Sequence, residues 1–170
     1  MVLVSGVEAI ADAAPAGKNS WCTDSETVIF ACRTGGKLVS VCASSDAAEN
    51  AGSVQYRFGV PEGEGKIELT LPKGVVVPAK AANGASVPFS GGGGAWLRFR
   101  NGDYAYTVYS GIGRWGPNGE TIEKQGVVVE RKGEQVTNLP CTGPRTSELG
   151  PEWLEQVGIT DNEEWFDFPE

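Results

Sequence analysis

The sequence predicts an all-β fold, an antiparallel meander of about eight strands forming a barrel or a two-layer sandwich, with a short C-terminal helix. Three observations point there. The 24 glycines and 10 prolines are spread along 170 residues beside valine-rich runs, which suits short strands joined by tight turns. Four segments repeat one local design: a β-prone run, a glycine-containing turn and a second β-prone run. Long stretches with the apolar spacing of an amphipathic helix are absent. A chain of this length suits one domain, burying roughly 70% of the surface its unfolded form exposes.

Residues 1–20 read as a flexible leader or the remnant of an export signal. Ala11, Asp12 and Ala13 supply an Ala-x-Ala pattern, although no basic residue opens the stretch and Glu8 interrupts its apolar run. Residues 21–145 form the β domain. Its first hairpin, "ETVIFACRTGGKLVSVCA" (26–43), turns at Gly35-Gly36. The second, "SVQYRFGVPEGEGKIELTLP" (53–72), has a longer Pro and Gly loop. A further strand is expected at 74–78, "GVVVP", followed by the weakly patterned loop "AKAANGASVPFSGGGG". The third hairpin is "GGGGAWLRFRNGDYAYTVYSGIG" (91–113). With Asn101-Gly102 as a type I′ turn, Arg100 opposes Asp103, Phe99 opposes Tyr104 and Leu97 opposes Tyr106. The fourth, 126–141, turns near Lys132-Gly133. Residues 146–170 form an acidic helix and tail. Pro151 stands at a first helical position, Trp153, Leu154 and Val157 share a face, and Gly158 is a stop signal.

Cys22, Cys32, Cys42 and Cys141 form an even set without a Cys-x-x-Cys pair, which reads as two disulfides in an oxidising compartment. The Gly35-Gly36 turn opposes Cys32 to Val39 and Ile29 to Cys42, so Cys32 and Cys42 face opposite sides of the sheet. Joining Cys22 to Cys32 would send the four residues before Glu26 back along a strand of roughly 20 Å. Cys42 lies near the start of that strand. The expected bonds are therefore Cys22–Cys42 and Cys32–Cys141.

Composition removes several function classes. The chain has no histidine, which excludes Ser-His-Asp and Cys-His catalysis and the commonest zinc ligand, so neither metal nor cofactor is expected. A net charge of -8 argues against a nucleic-acid partner. Residues 1–145 carry 14 acids and 14 bases, whereas residues 146–170 carry eight acids and no base. No run approaches the roughly 18 apolar residues of a membrane-spanning helix.

The candidate binding residues fall in three groups. The third hairpin sorts Trp96, Arg98, Arg100 and Tyr109 onto the face opposite its apolar one; Trp and Arg there are either cross-strand structural pairs or interface anchors. The glycines before it enter a strand, not a helix, and so form no phosphate loop. Arg114 and Trp115 lie in a Gly, Pro and Asn-rich loop, as a contact or as a plug for one end of the fold. Trp165 and Phe166 belong to the acidic tail, which either packs on its own core or docks on a basic partner, charge steering the encounter. Glu62, Glu64 and Glu68 cluster around a turn without a second carboxylate placed across a cleft.

The spaced cysteines Cys22, Cys32 and Cys42, with the "YRFG" strand Tyr56, Arg57, Phe58 and Gly59, make the chain similar to uncharacterised small exported bacterial β-proteins. That resemblance implies a periplasmic or secreted location and transfers no site residues. The functional expectation is a non-enzymatic protein-binding domain of the cell envelope, an inhibitor or immunity-type partner acting by occlusion, with a basic envelope enzyme as the candidate partner. The alternatives are a carbohydrate-binding module with Trp96 or Trp115 as platform and, third, a carboxylate-based hydrolase.

Overall fold

The computed structural model describes residues 18–160 and 163–170. The expected leader, apart from residues 18–20, lies outside the described residues. Ten strands form two antiparallel five-stranded sheets. The first sheet has β1 (Glu26–Thr34), β2 (Lys37–Ser44), β3 (Val54–Val60) and β4 (Lys66–Leu71). The second is the meander β5 (Asn83–Phe89), β6 (Gly92–Asn101), β7 (Tyr104–Gly113), β8 (Ile122–Arg131) and β9 (Glu134–Pro140). β10 (Thr142–Ser147) then returns to the first sheet and pairs with β1, giving the order β10-β1-β2-β3-β4. Neither sheet closes on itself, so the architecture fits a two-layer sandwich and not a barrel.

Period-two alternation places the core. Phe30, Cys32, Val39, Val41 and Tyr56 of the first sheet meet Ala95, Leu97, Phe99, Val108 and Val127 of the second in one buried cluster. Each fully buried aliphatic or aromatic side chain in it stabilises the fold by roughly 1.5–3 kcal/mol. A β-bulge between Val28 and Phe30 leaves Ile29 as an extra residue, so Val28, not Ile29, pairs with Cys42. The bulge lets the consecutive residues Ile29 and Phe30 both enter the core. Helix α1 (Pro78–Ala81) lies on the connection between the sheets, and α2 (Pro151–Gln156) has Pro at its start, as expected. Trp153, Leu154 and Val157 of the α2 region join the same core.

Both expected disulfides are present. Cys22–Cys42 has its Cα atoms 5.3 Å apart, and Cys32–Cys141 has them 5.6 Å apart. The first holds residues 18–23 across the outer face of the first sheet, where Trp21 is buried and its indole N–H donates to the Leu38 carbonyl. Arg57 completes that attachment, donating to the Trp21 carbonyl and to Glu26. The second bond sits where the chain crosses from β9 to β10, tying the crossing to β1. These pairs suit an oxidising environment. Among the described residues, no helix is long and apolar enough to cross a membrane.

Besides β10, which was not expected, three elements differ from expectation. Residues 74–78 form no strand, because they belong to the connection from β4 to the second sheet and have no neighbour to pair with; Val75 is largely exposed. Their expected successor, a loop, contains β5. The third hairpin turns at Gly102-Asp103, with Asn101 opposite Tyr104 and Arg100 opposite Ala105, not Asp103. Positive φ falls on Gly102 and not on Asn101 or Asp103, as in a type II′ turn, whereas type I′ needs it at both central residues. The two-residue slip leaves every side chain on its expected face. The fourth hairpin turns at Lys132-Gly133 with both residues at positive φ, the type I′ pattern.

Candidate functional site

The outward row of the second sheet is covered by the chain's own tail. Residues 163–168 lie across β5 to β8 with alternating exposure. Glu164, Phe166 and Phe168 are directed to the sheet, and Glu163, Trp165 and Asp167 are exposed. Phe166 is buried in a second cluster with Trp96, Tyr109 and Val128. Its ring centroid lies 6.0 Å from that of Trp96 and 5.8 Å from that of Tyr109.

Phe168 has a seat made by missing side chains. Gly94 and Gly111 are directly opposed on β6 and β7. A Cβ on either would approach the Phe168 ring to 2.8 Å, closer than packed atoms come. The ring also packs edge-on to Phe89 at 4.8 Å and parallel to Trp115 at 6.0 Å. Two facing glycines weaken a ladder on their own account, and here they make room for an aromatic ring from the chain's end. Lys124 lies 4.7 Å over the Trp115 ring and donates to the Pro169 carbonyl.

Glu164 is the polar counterpart of these rings. Its carboxylate accepts from Arg98 Nη1 at 2.9 Å, from Arg100 Nη2 at 2.7 Å to each oxygen, and from Asn83 Nδ2 at 2.6 Å. Burial alone would raise its pKa. The hydrogen bonds from Arg100, Arg98 and Asn83 outweigh that and hold it below the ordinary carboxylate value. Arg98 is buried at 8% exposure and therefore needs its partners. It donates Nε to Thr107 and Nη2 to the Trp165 carbonyl, lies 3.6 Å from Glu130, and stacks 4.9 Å from the Trp96 ring centre.

The sequence candidates thus divide. Trp96, Arg98, Tyr109 and Phe166 are brought together but buried between the sheet's outer face and the tail, Tyr109 donating its hydroxyl to Asn138. With 1% of its surface exposed, Trp96 offers no open face for stacking. Trp115 is half-buried against Phe89 and Phe168, on the outer face and not across an end of the sandwich. Arg100 and Arg114 remain exposed. Trp165 is the most exposed of the aromatic candidates, with 71% of its surface open and its indole N–H donated to Asp167. Glu62 and Glu68 are engaged by Arg33 and Lys37. Cys22, Glu26 and Cys42 lie within metal-ligand reach of one another, but both sulfurs are committed to a disulfide and Glu26 is held by Arg57.

Sequence reasoning passed over a second feature. Beyond the core, the inner face of the second sheet continues into an open cleft of about 480 Å³, with Leu149, Gly150 and Pro151 on its wall. Its signal was the run of Gly, Ser and Pro at alternate positions of β5 and β6, read as weak patterning. Comparison with protein-family models, curated proteins and solved structures finds no match.

Proposed function

We propose that the protein is a non-catalytic binding domain of an oxidising compartment, periplasmic or secreted, which occludes a basic protein such as a cell-envelope hydrolase. The observation carrying this reading is Trp165, largely exposed on a segment whose other aromatics are anchored in the sheet. An exposed tryptophan on a fixed backbone has little left to order on binding, and such residues are common energetic centres of interfaces. Glu163 and Asp167 flank it on the same outward side, and the segment belongs to the stretch holding eight acids and no base. That charge would steer a cationic partner toward the tryptophan. Occlusion needs no histidine, metal or cofactor.

The test is calorimetric titration against a basic lysozyme as probe, with residual lysozyme activity measured alongside. Wild-type protein should bind and inhibit, and added salt should weaken the complex. Trp165→Ala should weaken binding by about tenfold or more, with thermal stability little changed because 71% of the residue's surface is exposed. Equal binding by Trp165→Ala, or no binding and no inhibition by wild type, would overturn the proposal.

A further inference from the structure

The cleft on the inner face of the second sheet has its own chemistry. The strand register lays two rungs across it. The first runs Ser86, Ala95, Ser110, Gln125 over β5 to β8, and the second runs Pro88, Gly93, Ile112, Glu123. One step deeper, the rung Gly84, Leu97, Val108, Val127 is closed core. Within two residues the inward side chain changes from Val108 to Ser110 on β7 and from Val127 to Gln125 on β8, and β5 goes from Gly84 to Ser86, while β6 stays aliphatic at Ala95. Adjacent members of a rung are about 4.8 Å apart.

Three features define what would fit. The floor is neutral, since Ser86, Ser110 and Gln125 carry no charge and Glu123 is paired with Arg145 at 2.7 Å. Gln125 Oε1 is buried without a hydrogen-bond partner among the described residues, so it calls for a donor. Pro88 and Ile112 give the second rung an apolar surface, and Ile112 remains 39% exposed. The volume lies within the range of small-molecule sites.

We infer that this cleft binds a neutral oligosaccharide, independently of the tail. A sugar supplies partners for the two serines and, with the Gln125 carboxamide turned from its closed seat toward the cleft, a hydroxyl donor for Oε1; it sets its C–H face on Ile112 and Pro88, and leaves its other hydroxyls in water through the open mouth. Charged ligands find no unpaired counter-ion on the floor. An extended peptide would find a free backbone ladder only along the edge strand β5, because β6, β7 and β8 are already paired on both sides. No aromatic ring is among the residues lining the cleft, so binding is weak and governed by hydrogen bonds.

The experiment is an NMR titration of the full-length, isotope-labelled protein with chitotetraose, maltotetraose and, as comparison, an uncharged alanine tetrapeptide. Either sugar should shift the backbone signals of Gly93, Ser110 and Ile112 and the side-chain amide of Gln125. Gln125→Leu should weaken that binding by about tenfold or more. Ser86→Val, at an exposed position, should weaken it with the spectrum of the free protein otherwise preserved, and Trp165→Ala should leave it unaltered. Shifts confined to Trp165 or Trp115, no shifts with either sugar, or cleft shifts with the peptide alone would each overturn the inference.

Discussion

Replacing Glu164 by glutamine tests whether the tail is fastened electrostatically. The substitution keeps shape and acceptor but removes the charge facing Arg98 and Arg100. The two arginines contribute unequally. Arg100 has a side chain 54% exposed, so its pair is a surface bridge worth at most about 1 kcal/mol. Arg98 is 8% exposed, and a charged hydrogen bond there is worth roughly 1.5–3 kcal/mol. Because Arg98 keeps Thr107, the Trp165 carbonyl and the more distant Glu130, the lower part of that range applies. The expected loss is about 2–3 kcal/mol at neutral pH, which lowers the melting temperature by roughly 4–12 °C in a domain of this size.

Acid gives a second readout of the same contact. The folded pKa of Glu164 lies below its ordinary value of 4.5, so its stabilisation is complete above that value and disappears as pH falls through the folded pKa. Glu26, also lowered, principally by its hydrogen bond from Arg57, loses stability over the same acidic window. Wild type must therefore be compared with Glu164→Gln at each pH, so that the Glu26 contribution cancels. The difference in melting temperature should be greatest near pH 7 and close to zero once Glu164 is protonated. Equal melting at pH 7, or a difference that persists unchanged into acid, would refute the electrostatic account.

Gly94→Val should expel the Phe168 ring, costing about 1–3 kcal/mol and making residues 163–170 susceptible to carboxypeptidase while the sandwich stays folded by circular dichroism. Removing Cys32–Cys141 as a paired Cys→Ala variant should cost about 2–5 kcal/mol, with amide exchange accelerating first in β10, which buries no side chain of its own. Arg57→Met should remove the bridge between the Trp21 carbonyl and Glu26 and lower stability by roughly 1–3 kcal/mol; a chymotryptic cut beside Trp21 that appears in the variant alone would report it.

The parts of the fold legible in the sequence were those whose side chains alternate between a sealed core and another surface. β1, β2, β6, β7 and β8 do so, and the first hairpin's register was clear enough to assign both disulfides. β5 was missed because Gly84, Ser86 and Pro88 occupy its inward positions, where the sandwich opens into the cleft. β10 was missed because "TGPRTS" contains no apolar side chain, its place being fixed by its pairing with β1 and by Cys141. The third hairpin showed its two faces but not its partners, since a shift of two residues leaves hydrophobic patterning unchanged. The same ambiguity governed the site. Trp96, Arg98 and Arg100 were correctly grouped, yet an acidic aromatic tail complements them equally well from within the chain or from a partner. What distinguishes the two is the opposed Gly94 and Gly111, a cross-strand relationship that appears once the register is known.

The return of β10 to β1 carries a consequence for how the molecule reaches its native state. Phe30 pairs with Ser147, so the N-terminal hairpin acquires its outer neighbour after nearly the entire chain has become available. Four strands of the first sheet can assemble early from local hairpins, but its fifth must wait for the whole second meander to be laid down. Closure over so long a separation is slow relative to hairpin formation. Until then the exposed edge of β1 is a place where chains can pair with one another, and oxidation of Cys32 with Cys141 marks the moment at which that hazard ends.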